Sequence, residues 1–411
     1  MDNPLQLSLV NFKKDSYIIV EGKQNADYFY IIRQGKVRLS KEVQVVEEDE
    51  SAILEPGDFF GVVSTMSAHS HIETAQAMTD VSLIQVHREQ YGILIERNAP
   101  VAMKIIQGFS KKVRYLDEAL TKLTFNNSAE IDSNHLFHVA EYYARQSKYN
   151  QAYYSYHQYI THCPGGSNVA TAHDRMSKIK PYAKVVYLNG SNEEFNRVYP
   201  KDTMIFSEGQ PGNELYILQK GTVKISKIVN DKEVLLAILK PGDIFGEMAL
   251  IENKPRSASA DANEDVTLLA VNRSNFQRMV TSQPQIIARL TTLLAERIWF
   301  IYKQLANTKL DNPTGRLYDA LLLQIEKNRV AIKQGSGYTF QFGPKDLLNM
   351  VGLNATEGNG PLKELLANNS FKLIDNKLYV SDVMEIDKQA KYYKKMDRIA
   401  LTRQNTKAQR F

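Results

Sequence analysis

The chain has little of what builds covalently cross-linked or membrane-embedded proteins. One cysteine, Cys163, occurs in 411 residues, which excludes an internal disulfide framework and fits a reducing compartment. No segment approaches the roughly 18 consecutive apolar residues that a membrane-spanning helix needs, and Met1–Val10 lacks the basic start and apolar run of a secretory signal. We therefore expect a cytoplasmic protein with no membrane partner.

Strong charge of one sign is also absent. The net charge is +5, with 24% charged and 43% hydrophobic residues, which is the balance of ordinary globular domains rather than of disordered chains. The length allows about two to four domains. A nucleic-acid partner therefore has to be argued from local charge, because the total charge does not indicate one.

Catalytic motifs are missing as well. The sequence contains no phosphate loop of the Walker type and no zinc-ligand spacing. Cys163 follows His162 in a predicted turn after a helix, which is not the pattern of a nucleophile with its base. We expect no enzymatic activity, no catalytic residue, no metal site and no cofactor.

What the sequence does contain is an internal repeat. Glu55–Gly61 reads EPGDFFG and Lys240–Gly246 reads KPGDIFG, and the motifs that begin at Asp80 and Asp265 align at the same offset. In both copies, short runs of alternating character stop at glycines, which is typical of short strands joined by tight turns. The pattern predicts two antiparallel β-rolls of the jelly-roll type.

A helical pattern with one apolar face follows each copy. Apolar residues recur at spacings of three and four, namely Ile105, Phe109, Val113, Leu116, Leu120 and Leu123, and then Ile287, Leu290, Leu294, Ile298, Ile301 and Leu305. Such a face packs on its own roll or forms the seam of a coiled coil. Both alternatives stay open, and the second predicts a homodimer.

Residues 126–188, between the copies, predict a helical insert. Its apolar and aromatic positions are Leu136, Val139, Ala140, Tyr143, Ala152, Tyr156 and Tyr159. The spacing resembles a tetratricopeptide repeat, in which small residues such as Ala140 and Ala152 let two helices approach and Pro164 ends the second. Tyr159 departs from the small residue usual there. A single repeat either spaces the two rolls apart or binds a peptide.

The second copy carries a cluster of glycine, charged and hydroxyl residues. Phe245–Leu250 reads FGEMAL, and Pro255–Ser259 reads PRSAS. This cluster resembles the phosphate-binding cassette of cyclic-nucleotide-binding domains, and the resemblance covers about residues 195–308. It implies a site for cyclic AMP or cyclic GMP formed by Gly246, Glu247, Met248, Ala249, Leu250, Arg256 and Ser257.

The chemistry of these residue types agrees with such a ligand. Gly246 allows the backbone to approach closely, and Arg256 offers a planar fork to two phosphate oxygens. Glu247 can accept the proton of a ribose hydroxyl, and Ser257 can donate to phosphate or purine. The alternative is a surface Glu–Arg pair on an ordinary turn.

The first copy lacks both polar anchors. Val62 aligns with Glu247, and His71 aligns with Arg256. Valine accepts no hydrogen bond, and an ordinary histidine is mostly neutral at cytoplasmic pH. We therefore expect a degenerate copy with a structural, dimerising or altered-ligand role. His69 and His71 lack a third metal ligand, so we interpret them as core or solvated histidines.

The C-terminal region resembles the winged helix-turn-helix of the Crp/Fnr regulators. Pro313 opens a predicted helix with PTGRL, Lys345 begins KDLLNMVGL as a helix and turn, and FKLI from Phe371 with KLYV from Lys377 forms a predicted wing. In that family the second helix of the motif enters the major groove of DNA and contacts base edges. The resemblance implies a transcription regulator.

The second helix of this motif is unusual. Asn354–Pro361 reads NATEGNGP, so we expect its first turns to be unstable. The positions where the family commonly has Arg, Glu and Arg hold Ala355, Thr356 and Gly360. Residues 311–387 carry a net charge of −2 and residues 388–411 one of +7. We predict that any DNA is held mostly through its phosphates.

Together these patterns predict a multidomain α+β chain. Its parts are a degenerate cyclic-nucleotide-binding-like domain at 1–125, the tetratricopeptide-like insert at 126–188, a cyclic-nucleotide-binding domain with a long helix at 189–308, a winged helix-turn-helix-like domain at 309–390 and a basic tail at 391–411. The predicted function is a cyclic-nucleotide-sensing, Crp/Fnr-like transcription regulator. The alternative is a sensor that acts through a protein partner without sequence-specific DNA binding.

Overall fold

The computed structural model describes residues 7–24, 26–46, 52–125, 134–184, 195–229 and 231–408. Arg410 of the predicted tail lies outside these residues, and the domain boundaries predicted after residues 125 and 188 fall beside or within the segments left out. The chain divides into two compact units. Unit 1 contains His87–Tyr115 and Asn127–Leu294, and unit 2 contains Leu7–Val86, Leu116–Asn126 and Ala295–Phe411.

In the described residues 7–24, 26–46 and 52–125, the first repeat has eight short strands, a short α-helix between the sixth and seventh strands, and two α-helices after the eighth. Its elements are β1 Ser8–Phe12, β2 Tyr17–Ile19, β3 Tyr28–Gln34, β4 Val37–Ser40, β5 Ile53–Leu54, β6 Phe59–Phe60, α1 Val62–Ser67, β7 Thr74–Ala77, β8 Val81–His87, α2 Tyr91–Arg97 and α3 Ala99–Phe125. Two antiparallel sheets result, with strand orders β1-β8-β3-β6 and β2-β7-β4-β5.

The helical insert follows the first repeat, and the second repeat then reproduces the first element by element. The insert has α4 His135–Arg145, α5 Tyr149–His162 and α6 Val169–Ile179. The second repeat has β9 Asn196–Tyr199, β10 Met204–Phe206, β11 Glu214–Lys220, β12 Val223–Val229, β13 Lys232–Leu239, β14 Ile244–Phe245, α7 Glu247–Glu252, β15 Ser259–Ala262, β16 Val266–Asn272, α8 Arg273–Ser282 and α9 Pro284–Thr308. Its sheets have the equivalent orders β9-β16-β11-β14 and β10-β15-β12-β13.

The turns at Gly35 and Gly221 explain why a glycine and an Asp-Val pair recur in both copies of the repeat. Gly35 has φ +90°, and a Cβ there would lie 2.5 Å from the carbonyl oxygen of Asp80. Gly221 has φ +83°, and a Cβ there would lie 2.5 Å from the carbonyl oxygen of Asp265. A side chain would clash at either glycine, so the glycine and the Asp-Val motif recur together.

The core of the insert is formed by the apolar and aromatic residues predicted from the sequence. Ala140 and Ala152 are fully buried where α4 and α5 pack together. Tyr159 is also buried, although a small residue was expected there, because Gly166 leaves room for its ring. The Tyr159 hydroxyl donates to Asn134 Oδ1 at 3.0 Å and accepts from the Asn168 N–H at 3.2 Å. The comparison with a tetratricopeptide repeat stays a prediction.

The apolar faces of α3 and α9 are covered within the chain. The buried members are Ile105, Phe109, Val113, Leu116, Ile287, Leu290, Leu294, Ile298, Ile301 and Leu305. Leu123 was placed on the same face but is 51% exposed, so the buried face of α3 ends earlier than predicted. A second copy of the chain is therefore not needed to explain why these residues are apolar.

The C-terminal region consists of four helices and a small antiparallel sheet. Its elements are α10 Pro313–Lys327, β17 Tyr338–Thr339, α11 Pro344–Met350, α12 Ala355–Ala367, β18 Phe371–Ile374, β19 Lys377–Val380 and α13 Val383–Ala408. The sheet order is β17-β19-β18. Leu321, Leu347, Leu365 and Leu378, from four different elements, meet in one buried core.

The expectation that α12 is unstable in its first turns is wrong. The Asn354 side chain caps the helix by accepting from the N–H groups of Thr356 at 3.0 Å and Glu357 at 2.9 Å, and Glu357 accepts the Asn354 N–H at 3.3 Å. This reciprocal capping satisfies donors at the helix start. Gly358 packs directly on Leu348 of α11, where a Cβ would overlap that side chain. A side chain at position 358 would therefore require the Leu348 side chain to shift.

The separate basic tail is also a wrong expectation, because residues 391–408 continue α13. Ala390 and Tyr393 pack against α10, and the Tyr393 ring stacks on Tyr318 at 5.9 Å between centroids. Lys394 forms an ion pair with Asp319. Tyr393 and Lys394 thus attach the helix beyond residue 390 to α10, which the charge count did not reveal. Within the residues that the structure describes, no helix is long and apolar enough to cross a bilayer.

The packing of α12 on α11 predicts opposite effects for two glycines in one helix. Gly358→Ala should lower the free energy of unfolding of the C-terminal region by about 1 kcal/mol, because overpacking outweighs the gain in helix propensity. Gly360→Ala, where a Cβ meets nothing within 4 Å, should leave it unchanged or raise it by up to about 1 kcal/mol. Urea unfolding measures both, and equal values for the two variants would contradict the packing.

Candidate functional site

The cassette, residues 245–259, surrounds the short helix α7. Gly246 precedes α7 with φ 74°, a left-handed conformation that glycine adopts without strain. Glu247 is the first residue of α7 and is only 3% exposed. Arg256 is likewise 3% exposed. The structure therefore brings the two predicted anchors into the interior of the second repeat, which a surface Glu–Arg pair on an ordinary turn would not show.

Backbone hydrogen bonds fix the chain on both sides of the Arg256 side chain. The Arg256 N–H donates to the Gln210 carbonyl at 2.8 Å, and the Arg256 carbonyl accepts the Gly209 N–H at 2.8 Å. Arg256 Nη1 donates to the Gly246 carbonyl at 2.6 Å. The guanidinium is thus held against the turn that starts α7, so Gly246 and Arg256 form one local structure.

Aromatic rings and a glycine shape the space around the guanidinium. Arg256 Cζ lies 4.2 Å from the ring centroid of Phe206 and 5.7 Å from that of Tyr216. Both distances are within the range of cation–π attraction. A Cβ on Gly212 would lie 2.6 Å from Arg256 Cζ, so only glycine leaves room for the side chain in this position.

The guanidinium is incompletely paired. Its Nε is buried and has no hydrogen-bond partner among the residues that the structure describes. Burial lowers the pKa of Arg256 from its ordinary value, although nearby tyrosines and the carboxylates of Glu214 and Glu247 oppose this. Because burying a cation is costly unless it is paired, the site favours an anion beside Arg256.

The remaining predicted residues divide into two groups. Met248, Ala249 and Leu250 are buried and form the packed face of α7. Ser257 is half-buried, and its hydroxyl lies 4.0 Å from the sulfur of Met248. The structure thus places Ser257 at the edge of the site, whereas the three apolar residues hold the helix in place.

Sequence reasoning missed four residues that position Arg256. Phe206, Gln210, Gly212 and Tyr216 lie 40 to 50 residues before it in the chain, so neither periodicity nor motif spacing connects them to the cassette. The one usable signal was Gly212, two residues before β11, where no turn requires a positive φ.

The first repeat has the same backbone around different side chains. Gly61 precedes α1 with φ 79°, as Gly246 precedes α7. The His71 N–H donates to the Lys23 carbonyl at 2.9 Å, and the Gly22 N–H donates to the His71 carbonyl at 2.8 Å. Val62 and His71 are buried, so the equivalent interior contains neither a carboxylate nor a guanidinium at these positions.

Comparison with known proteins identifies the repeated unit. The family described as "Cyclic nucleotide-binding domain" matches residues 9–98 and again residues 196–283. The "Cyclic AMP receptor protein" of Thermus thermophilus is 34% identical over 163 residues, which cover 38% of this chain and 69% of that protein. The chain belongs to the Crp/Fnr family of cyclic-nucleotide-binding regulators. The antiparallel rolls with their following helices are the two cyclic-nucleotide-binding domains.

This Crp/Fnr chain is also similar to a protein kinase regulatory subunit and to a catabolite activator protein of known structure. The "cAMP-dependent protein kinase regulatory subunit" of Pyricularia oryzae is 26% identical over 277 residues, which cover 67% of this chain and 56% of that protein. The alignment with the crystal structure of the Thermus thermophilus catabolite activator protein has 28% sequence identity and a TM-score of 0.28. It covers 48% of this chain and 90% of the other.

The histidines of the first repeat do not belong to a metal cluster in the part of the chain that the structure describes. No group of three or more His, Cys, Asp or Glu side chains there is arranged to hold a metal ion. His69 instead stacks on Trp299 with ring centroids 4.1 Å apart. Burial, assisted by the charges of Arg329 and Lys303, lowers the pKa of His69 to about 4. His69 is therefore neutral at neutral pH.

Proposed function

We propose that this Crp/Fnr chain is a cyclic-nucleotide sensor whose second repeat binds cyclic AMP or cyclic GMP. One observation carries the proposal, namely the buried guanidinium of Arg256 with an unpartnered Nε beside the left-handed turn at Gly246. A phosphodiester supplies the single negative charge and the acceptor oxygens that this guanidinium lacks. The name of the Thermus relative also points to cyclic AMP.

The other cassette residues fit the rest of such a ligand. Glu247 is buried beside Arg256 and can accept the proton of a ribose 2′-hydroxyl. Ser257 lies at the edge of the site, from which a hydroxyl can donate to phosphate or purine. Met248, Ala249 and Leu250 keep α7 packed, so these polar groups stay preorganised.

The first repeat does not offer the same chemistry. Val62 has no hydrogen-bond acceptor at the position of Glu247, and His71 has no fixed charge at the position of Arg256. His69 is neutral for the reason given above. We therefore assign one cyclic nucleotide to each chain and a structural role to the first repeat.

The proposed output is transcription regulation through the C-terminal region. Helices α11 and α12 are joined by a short turn and followed by the β18–β19 hairpin, which is the order of elements in a winged helix-turn-helix. The relative named as a cyclic AMP receptor protein belongs to the same family. Nucleotide binding would act by favouring one conformation of the chain over another.

The surface of α12 favours the alternative of a protein partner. Its exposed charged residues are Glu357, Lys363 and Glu364, so it presents one cation against two carboxylates. Such a helix is poorly suited to a DNA groove. One relative is a regulatory subunit of a protein kinase. A sensor that acts by protein association therefore remains the second candidate, with the DNA experiment below separating the two.

Removal of the buried cation tests the ligand site. Arg256→Ala should weaken binding of cyclic AMP or cyclic GMP by about 2 to 5 kcal/mol, roughly 30-fold or more, because the phosphodiester loses its charged partner. Glu247→Ala should weaken it as well. Isothermal titration calorimetry with both nucleotides measures the effect and also ranks the two ligands.

Lys220→Ala is the control, because Lys220 is an exposed cation at the end of β11 in the same repeat and lies outside the cassette. It should leave affinity within about twofold of wild type. Wild-type affinity in Arg256→Ala and Glu247→Ala would overturn the assignment of the cassette.

The divergence of the two repeats predicts the stoichiometry. Calorimetric titration of the full chain should give one nucleotide bound per chain, since the first repeat lacks both anchors. In the Arg256→Ala variant, the heat of nucleotide binding should decrease. No second site with the affinity of the wild type should remain. A stoichiometry near two in the wild type would contradict the proposed division of roles.

The charge distribution predicts how any DNA is bound. Binding should be weak, sequence-tolerant and steeply salt-dependent, because lysines of α13 would contact phosphates. Replacement of the exposed Lys388, Lys391 and Lys395 by Gln should reduce the slope of log affinity against log salt by about 2 to 3. Substitution is preferable to deletion, because Ala390 and Tyr393 belong to the core.

A triple Lys→Gln variant at the exposed Lys220, Lys232 and Lys240 removes the same charge from the second repeat and should leave the slope unchanged. Selection from random duplexes in the presence of cyclic nucleotide supplies the decisive comparison. A sharp palindromic motif that survives physiological salt would contradict phosphate-dominated binding and favour sequence-specific regulation.

A further inference from the structure

The two repeats correspond residue by residue through the cassette and the long helix. Gly61 and Gly246 differ by 185 in number, and so do Ala99 and Pro284, the first residues of α3 and α9. No insertion or deletion separates the two copies over this stretch. Any residue of α3 therefore has a defined counterpart in α9.

In unit 1, the helix of the first repeat contacts the cassette of the second. Arg114 of α3 donates from Nε to Glu252 Oε2 at 2.9 Å and from Nη1 to the Pro255 carbonyl at 3.2 Å. Ser110 donates to Glu252 Oε1 at 2.7 Å. The side chains of Arg114 and Glu252 are only 8% and 2% exposed. Glu252 ends α7, and Pro255 directly precedes Arg256.

In unit 2, the helix of the second repeat contacts the cassette of the first. Trp299 of α9 donates from Nε1 to the Ser70 carbonyl at 3.0 Å, and its indole stacks on His69 with an interplanar angle of 18°. Trp299 is 1% exposed. Ser70 directly precedes His71.

The two contacts are the same contact made twice with the repeats exchanged. Trp299 is the counterpart of Arg114, and Ser70 is the counterpart of Pro255, because both pairs differ by 185 in number. In each case a side chain of the long helix donates to the carbonyl that precedes the anchor position. Each contact lies within one unit, and in each the long helix of one repeat supports the cassette of the other.

The pair has diverged in chemistry while its geometry has been kept. At the cassette with both nucleotide anchors, the helix contributes a guanidinium that binds a carboxylate and a carbonyl at once. At the cassette without anchors, it contributes an indole that packs flat against a neutral histidine. The first contact fixes the loop through an ion pair and a hydrogen bond, and the second through one hydrogen bond and ring stacking.

We propose that Arg114 of the first repeat is a positioning residue for the cyclic-nucleotide site of the second repeat. It fixes the cassette between Glu252 and Pro255, and therefore the point from which Arg256 enters the site. Helix α3 of the first repeat thus supports the site of the second repeat. This inference rests on the proposed function, since it concerns the same ligand site.

The direct test compares two cations on one helix. In the full chain, Arg114→Ala should raise the Kd for cyclic AMP or cyclic GMP by about tenfold or more and increase the dissociation rate, because the cassette loses its fixed position. Lys111→Ala removes an exposed cation of α3 and should bind like wild type. Stopped-flow displacement and calorimetry measure the two quantities.

A second variant separates positioning from stability alone. Removing Arg114 leaves Glu252 buried without its main partner, which destabilises a protein. The double variant Arg114→Met with Glu252→Leu removes both charges and should melt close to wild type, as followed by the fluorescence of Trp299, the one tryptophan of the chain. Its nucleotide affinity should nevertheless stay about tenfold below that of wild type.

The outcomes distinguish this inference from the function on which it rests. If wild type binds neither nucleotide, the proposed function and the inference both fail. If wild type binds and Arg256→Ala does not, but Arg114→Ala binds like wild type, only the inference fails. Recovery of affinity together with melting temperature in the double variant would reduce Arg114 to a structural role and overturn the proposal.

Discussion

The buried guanidinium of Arg256 is the constraint on which the structure around the cassette depends. A cation inside a protein has to be stabilised by hydrogen bonds, aromatic faces or an anion. The Gly246 carbonyl and the Phe206 ring supply part of this stabilisation, and Gly212 is required because the side chain occupies the space a Cβ would take. The turn, the ring and the glycine are thus consequences of keeping one charge in the interior.

Duplication explains how one chain can contain two cassettes with the same backbone and different side chains. Both copies have a glycine with positive φ before a short helix. Both also have the same pair of backbone hydrogen bonds at the anchor position, which is His71 in the first copy and Arg256 in the second. The copies differ where chemistry is required, with Val62 and His71 in one and Glu247 and Arg256 in the other. In the proposed division of roles, the first copy supports the second cassette through α3 and lacks the groups assigned to nucleotide binding.

The sequence predicted features that depend on local spacing and missed those that depend on long-range contacts. The cassette, the roll-forming strands and the apolar faces of α3 and α9 follow from turns, motifs and periodicity within short windows. Phe206 and Arg114 reach the cassette from about 50 and 140 residues away, and no periodic pattern encodes such pairs. The stability of α12 was predicted wrongly because helix propensity does not include the hydrogen bonds of the Asn354 cap or the packing of Gly358 on Leu348.

Backbone amide hydrogen exchange, with and without saturating cyclic AMP or cyclic GMP, tests the central claim most directly, because it locates the ligand on the chain. Nucleotide should slow exchange in residues 246–257 and around Phe206–Gly212, while residues 61–72 of the first repeat should change little. Protection that appears in the first cassette, or in neither cassette, would contradict a single nucleotide site built around Arg256.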